Sequence, residues 1–196
     1  MIGVLVSGSG TNLQALIDAG LPVAAVVSNT PGAFALERAA SAEIPTAVFP
    51  LDDYSSREER DLAIAEWLED NDVELVVCAG YRQLLTSAFL ARFPARVINV
   101  HPSLLPAFPG RHAIEDVLAA GVEETGVTVH LVDEGTDTGP VICQEPVRIE
   151  PGETAETLLA RLHEVEHRLL PQATRFLLAD RLRSSFRRRR NDENER

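Results

Sequence analysis

The chain has 196 residues, 45% of them hydrophobic, and a formal net charge of −12; that length holds one sizeable core and leaves no room for two full domains. The last fourteen residues contain six Arg against three acids, so the remaining body carries 12 Arg against 27 acids and is too acidic to attract nucleic acid without specificity. No apolar run approaches the roughly 20 residues of a membrane helix, and Met1 leads straight into a strand-like segment without a basic n-region, which reads against a secretory leader and predicts a cytoplasmic protein.

In chain order, short β-branched runs predict strands at 2–6, 22–28, 45–49, 74–79 and 96–100, and the segments 11–19, 33–42, 57–71 and 84–92 between them carry helical periodicity. That alternation predicts an α/β fold, Rossmann-like, with a mostly parallel twisted sheet flanked by helices. In the third helix Leu62, Ile64, Ala65, Trp67 and Leu68 are expected to face the sheet. After Val100 a loop marked by Pro102, Pro106, Pro109 and Gly110 precedes a short helix at 112–120 and two strands at 125–132 and 140–148, which makes seven strands. A helix from 155 to about 181, entered through Glu153-Thr154 and bent at Pro171, closes a single domain over 1–182. Residues 183–196 read as a charged, disordered tail, although the Arg run at 187–190 also suits RNA or an acidic surface.

Cys78 and Cys143 form no C-x-x-C pair and read as small core residues of a reducing compartment. The chain contains no lysine. An acidic surface with Arg as its only fixed cation suits a high-salt cytoplasm that screens self-repulsion, and equally a GC-rich genome that has drifted from Lys to Arg.

Three segments carry chemistry. The turn Ser7-Gly8-Ser9-Gly10-Thr11-Asn12 lies between the first strand and the first helix, where backbone N–H groups and the helix dipole converge on an anion. A dinucleotide fingerprint wants glycine where Leu13 stands and an acid after the second strand, and a P-loop wants a lysine. The turn is therefore expected to seat a simple phosphate monoester; a strand-turn-helix using Gly only for geometry is the open alternative. In the second segment, 97–106, an apolar strand ends in Asn99-Val100-His101. Residues two apart share a face, so the amide and the imidazole reach the carboxyl end of the sheet together and suit an oxyanion and its proton. A capping Asn and a structural His fit the same letters. The third segment, 131–140, is an acidic turn whose Asp137, fixed by Gly139-Pro140, is the candidate to pair with His101 and raise its pKa; a plain polar turn is the alternative.

These three motifs, SGSGTNLQALIDA, NVHPSLLPAFPG and DEGTDTGPVI, occur in an order and spacing that resembles the phosphoribosylglycinamide formyltransferase family, over about 2–182 of the chain. The resemblance implies a catalytic set of Asn99, His101 and Asp137. It implies a substrate site of Gly10, Thr11, Asn12, Gly80, Pro102 and Glu166, the last holding a ribose. It also implies that 10-formyltetrahydrofolate, a co-substrate, occupies a pocket formed by Arg82, Gln83, Leu84, Leu85, Asp133, Glu134, Gly135 and Thr136, with Arg57 nearby and no metal. Relatives usually carry Met-Arg where this chain has Arg82-Gln83, and main-chain hydrogen bonds survive such a replacement. The partners implied are the two small molecules, with no nucleic acid and no membrane, in a monomer or a homodimer.

Rival readings remain at this level. Formyltetrahydrofolate deformylase resembles the family in its Asn-His-Asp set but leaves the phosphate turn without a task. Methionyl-tRNA formyltransferase needs a C-terminal domain for which no residues remain. His163-Glu164-Val165-Glu166-His167 satisfies the H-E-x-x-H zinc-protease pattern, without an evident third ligand. A phosphate-binding regulatory module is the non-enzymatic reading.

Overall fold

In the computed structural model the backbone is described over residues 1–194 and the side chains over 1–180. The last helix runs on past the expected end near 181, so of the tail expected at 183–196 residues 183–194 are described only as its continuation, and 195 and 196 lie outside the described residues. The strands are β1 (Ile2–Val6), β2 (Val23–Ser28), β3 (Thr46–Val48), β4 (Leu75–Cys78), β5 (Val97–His101), β6 (Glu124–Leu131) and β7 (Val141–Arg148). The helices are α1 (Thr11–Asp18), α2 (Phe34–Ser41), α3 (Arg57–Asp70), α4 (Ser87–Arg92), α5 (Ala113–Ala120) and α6 (Ala155–Asn194), and a single 3-10 turn that the sequence did not announce spans Leu51–Asp53.

The seven strands form one sheet in the order β3-β2-β1-β4-β5-β6-β7. The first five of that order run parallel, while β6 is antiparallel to β5 and β7 to β6. This is the expected α/β architecture. The chain builds outward from β1 to β2 and β3, then crosses back to β4 on the other side. Strand order thus reverses between β1 and β4, and open α/β sheets bind ligands outside the carboxyl ends of strands at such a point.

Both faces of the central strands β1, β2 and β4 are covered, which is why these read as unbroken apolar runs. Val4, Val6, Leu75 and Val77 pack with Leu13 and Leu16 of α1 and Leu158 and Leu162 of α6. On the opposite face Leu5, Val76 and Cys78 pack with Ile64 and Leu68 of α3 and Phe89 of α4. α3 opens on two side-chain bonds: Ser56 Oγ caps it by accepting from the Glu59 N–H at 3.1 Å, and the Glu59 carboxylate accepts from the N–H of Ser55, the residue before the cap, at 2.9 Å.

Three expectations need correction. Leu62 does not face the sheet; it is 36% exposed, and Arg60 and Asp61 are buried in full instead. Hydropathy misplaced the stripe because these two charges neutralise each other inside, Arg60 Nη2 to Asp61 Oδ1 at 2.7 Å, and Asp61 Oδ2 also accepts the Thr86 N–H at 2.8 Å. α4 begins at Ser87 rather than 84, because Thr86 caps it by accepting from the Phe89 N–H, and the residues before it stay in the loop after β4. Cys143 is half-buried rather than part of the core, and both cysteines are free thiols. Among the described residues no helix is long and apolar enough to cross a membrane.

Candidate active site

At the carboxyl edge of the sheet the loops after β1, β4 and β5 and the turn between β6 and β7 enclose a cleft of about 540 Å³. Its first wall is the turn 7–10 leading into α1. Gly10 has φ 71°, and a Cβ there would stand 2.5 Å from the Ala35 Cβ, so only glycine lets α2 approach this closely. α1 has no side-chain cap and no acid in its first turn. Its leading N–H groups are thus open to an anion.

The second wall is the end of β5. Asn99 and His101 both reach the cleft, and His101 is 4% exposed. His101 Nε2 lies 2.9 Å from the Phe108 carbonyl, which only accepts, so this nitrogen carries a proton and Nδ1 is the one turned towards Asp137. Nδ1 stands 3.4 Å from Asp137 Oδ2, and Asn99 Nδ2 stands 3.4 Å from Asp137 Oδ1. The carboxamide, the imidazole and the carboxylate do meet.

Asp137 is delivered by the β6–β7 turn with φ 56°, a left-handed conformation that Asp tolerates better than most residues. Asp133 shapes that turn, its Oδ1 accepting from the Gly135 N–H at 3.1 Å and from Thr138 Oγ1 at 2.8 Å. Beyond Asp137 a Cβ on Gly139 would lie 1.9 Å from the Leu131 carbonyl oxygen, so the turn closes tightly against its own strand. Burial works against the charge on Asp137, but the bond with His130, the Gly110 N–H at 2.8 Å and the imidazoles of His101 and His130 outweigh it and hold its pKa at about 2.

His130 is a member of this cluster that sequence reasoning missed. It faces Asn99 across the antiparallel β5–β6 pair. Its Nδ1 donates to the Leu131 carbonyl at 2.9 Å, and its Nε2 lies 3.2 Å from Asn99 Nδ2 and 3.5 Å from Asp137 Oδ1. A carboxamide has two N–H donors. Both point into this cluster, one to Asp137 Oδ1 at 3.4 Å and one towards His130 Nε2 at 3.2 Å, so the two residues fix the amide plane beside the reacting centre. Only a reading of cross-strand register could have found it. Arg111 and His163 also line the cleft without having been assigned to it.

Of the remaining expected residues, Gly10, Thr11, Asn12, Gly80 and Pro102 line the cleft, as do Arg82 to Leu85 and Asp133 to Thr136. Two do not. Arg57 is exposed on the first turn of α3 and is not part of the lining. Glu166 is buried behind Asn12, whose Nδ2 donates to its Oε2 at 2.7 Å; burial raises its pKa to about 7 despite that bond. Burial likewise pushes the Cys78 thiol, in the floor of the cleft, up to about 12 and leaves it unreactive.

The H-E-x-x-H pattern resolves into two stacked imidazoles, His163 and His167, with ring centroids 5.9 Å apart. Glu166 between them is engaged by Asn12. Among the described residues no group of three His, Cys, Asp or Glu side chains is placed to hold a metal.

An amide donor, an imidazole and a carboxylate at strand ends, beside an uncapped helix start, make the site of a group-transfer enzyme that works on a carbonyl. Comparison with known proteins narrows that class. A family model described as formyl transferase matches residues 1–174. The phosphoribosylglycinamide formyltransferase of Haemophilus influenzae is 41% identical over 188 residues, covering 93% of this chain and 89% of that protein. The trifunctional purine biosynthetic protein adenosine-3 of Drosophila pseudoobscura pseudoobscura is 45% identical over 190 residues, and there this chain spans 14% of the relative's length. The crystal structure of glycinamide ribonucleotide transformylase 1 from Geobacillus kaustophilus superposes with a TM-score of 0.88 at 46% identity, covering 90% of this chain and 97% of that one. The chain belongs to the formyl transferase family.

Proposed function

We propose that this protein transfers the formyl group of 10-formyltetrahydrofolate to the amine of phosphoribosylglycinamide, as a cytoplasmic step of purine synthesis. The observation that carries this reading is the meeting of Asn99, His101 and Asp137 in the same cleft as the open start of α1. The phosphate sits on the N–H groups of Gly10, Thr11 and Asn12. Gly80 and Pro102 bound the glycinamide, while Glu166 bears on the ribose side only by holding Asn12 from behind. The folate occupies the other end, between the Arg82–Leu85 segment and the turn from Asp133 to Asp137. Leu84, half exposed on that rim, gives the flat pterin an apolar edge.

In the reaction the amine lone pair attacks the formyl carbon and the carbonyl π pair moves to oxygen. The resulting oxyanion takes over the Asn99 N–H that points to Asp137 in the free protein, and with it His101 Nδ1–H, as its donors. The attacking nitrogen gives up a proton to solvent through a water that Asp137 orders. His101 supplies a proton to the departing folate nitrogen as the C–N bond breaks and the C=O reforms. Asp137, ionised through its bonds with His130 and Gly110, pairs with the imidazolium in between.

Hydrolysis of the same formyl-folate is the second reading, and the uncapped α1 start beside the cleft favours transfer over it. Purified protein given both substrates should form tetrahydrofolate and formylated glycinamide ribonucleotide in equal amounts. Formate released at the same rate with and without the amine would assign hydrolysis instead.

A further inference from the structure

The cations around the glycine turn are unevenly used. Arg38 of α2 is committed to the protein: its Nε donates to the Ser9 carbonyl at 2.9 Å, its Nη1 to Gln14 Oε1 at 3.2 Å, and its guanidinium lies 5.0 Å from the centre of the Phe34 ring. Arg82 approaches the same turn from the other side, out of the loop after β4. Its backbone is tied twice, its N–H donating to Ser7 Oγ at 2.9 Å and its carbonyl accepting from the Arg111 guanidinium. So anchored, it sends its guanidinium back over the turn, with Nη2 3.9 Å from the point where a Cβ on Gly8 would stand.

Among the described residues Arg82 makes no salt bridge, in a chain with 30 acids to choose from. An exposed guanidinium above a glycine turn that offers only partial positive charge lacks a strong anion. The opposite end of the cleft is lined by Asp133, Glu134 and Asp137, so an anionic group entering there meets repulsion. Near neutral pH a phosphate monoester carries close to two negative charges, more than backbone N–H groups neutralise by themselves.

Resting on the function proposed above, we infer that Arg82 is a substrate-specificity residue whose side chain closes over the phosphate of the nucleotide, while its backbone remains available to the folate. The expected sequence role, in the folate pocket, is thereby divided between main chain and side chain. The phosphate is gripped from two sides, by the start of α1 and by a guanidinium fork.

The test compares Arg82→Met, of similar length and uncharged, with Arg82→Lys. In steady-state kinetics Arg82→Met should raise KM for phosphoribosylglycinamide about tenfold, the loss expected for one exposed charge-assisted hydrogen bond, with KM for 10-formyltetrahydrofolate little changed. Arg82→Lys should recover part of the loss. Calorimetric binding of ribose 5-phosphate supplies a readout without turnover and should weaken by a similar factor in the Met variant. A rise confined to the folate KM, or unchanged ribose 5-phosphate affinity in a variant that melts like the parent, would overturn the inference. If neither protein formylates the amine but the affinity still drops, it is the function proposed above that fails, and the phosphate contact stands.

Discussion

Asp137 and Glu166 are two carboxyl groups in one neighbourhood, driven in opposite directions. Asp137 has an ordinary value of 3.8 and is held at about 2 by its bonds and the facing imidazoles. Its stabilising contribution is present above the ordinary carboxylate range and is lost as the pH falls through about 2. Replacement by Asn keeps the left-handed backbone that the turn requires, since Asn also tolerates positive φ. It removes the charge facing His101. Asp137→Asn should therefore lower kcat about 100-fold or more with smaller changes in either KM and a folded protein by circular dichroism. A kcat within a few-fold of the parent would remove Asp137 from the chemistry. Glu166 runs the other way, from 4.5 up to about 7, because burial disfavours its charged form. A raised acid favours the folded state below its unfolded pKa, and that advantage is lost as the pH climbs from 4.5 towards 7. Gln at this position accepts from Asn12 Nδ2 and can also donate to Asn12 Oδ1, a buried atom without a partner. Glu166→Gln should leave the melting temperature almost level across that range while the parent declines, a difference on the order of 3 kcal/mol at the upper end. Parallel melting curves for the two proteins would refute the assignment.

At the scale of elements, much of the fold could be read from period and punctuation. The central strands β1, β2 and β4 are apolar runs, and the two-residue spacing of Asn99 and His101 at the end of β5 put both on the cleft side. The residues that escaped are those whose partners lie on other elements. His130 reaches Asn99 through β5–β6 register. Arg57, close to the folate in the family pattern, ends up exposed on α3, and helix pitch rather than motif decides that. The Arg60–Asp61 pair is the clearest case, because an adjacent Arg and Asp on an amphipathic helix read as solvent-facing until the fold supplies Thr86 as a third member. That pair joins α3 to the cap of α4 and so to the loop carrying residues 82–85. Asp61→Ala leaves a fully buried guanidinium and the Thr86 N–H without their acceptor. It should cost about 3–5 kcal/mol in urea unfolding and should also weaken formyl-folate binding through the loosened loop. A loss below about 1 kcal/mol would mean that water reaches Arg60 and the pair is a surface contact in effect.

The whole molecule carries its charge unevenly, with the acidic excess in the folded body and a cluster of Arg in the last fourteen residues. Most of the body's carboxylates have no cation to meet, since 27 acids face 12 Arg there, and the resulting repulsion opposes compactness. Screening should relieve it. The Debye length falls from about 30 Å at 0.01 M salt to about 3 Å at 1 M, so contacts between like charges on neighbouring elements are lost over that interval while the bonds of the buried Arg60–Asp61 pair are not. Between these limits the melting temperature should rise by roughly 5 °C, which corresponds to about 1–2 kcal/mol for a chain of this size. Sucrose at matched osmolarity separates screening from general exclusion of solute, because it strengthens burial without touching charge. If sucrose raises the melting temperature as much as salt does, repulsion is not what limits stability, and the absence of lysine reflects base composition rather than adaptation to a saline interior. A salt effect well beyond that of sucrose means that repulsion between the body's unpaired carboxylates limits its stability, the behaviour expected of an acidic surface adapted to a saline medium.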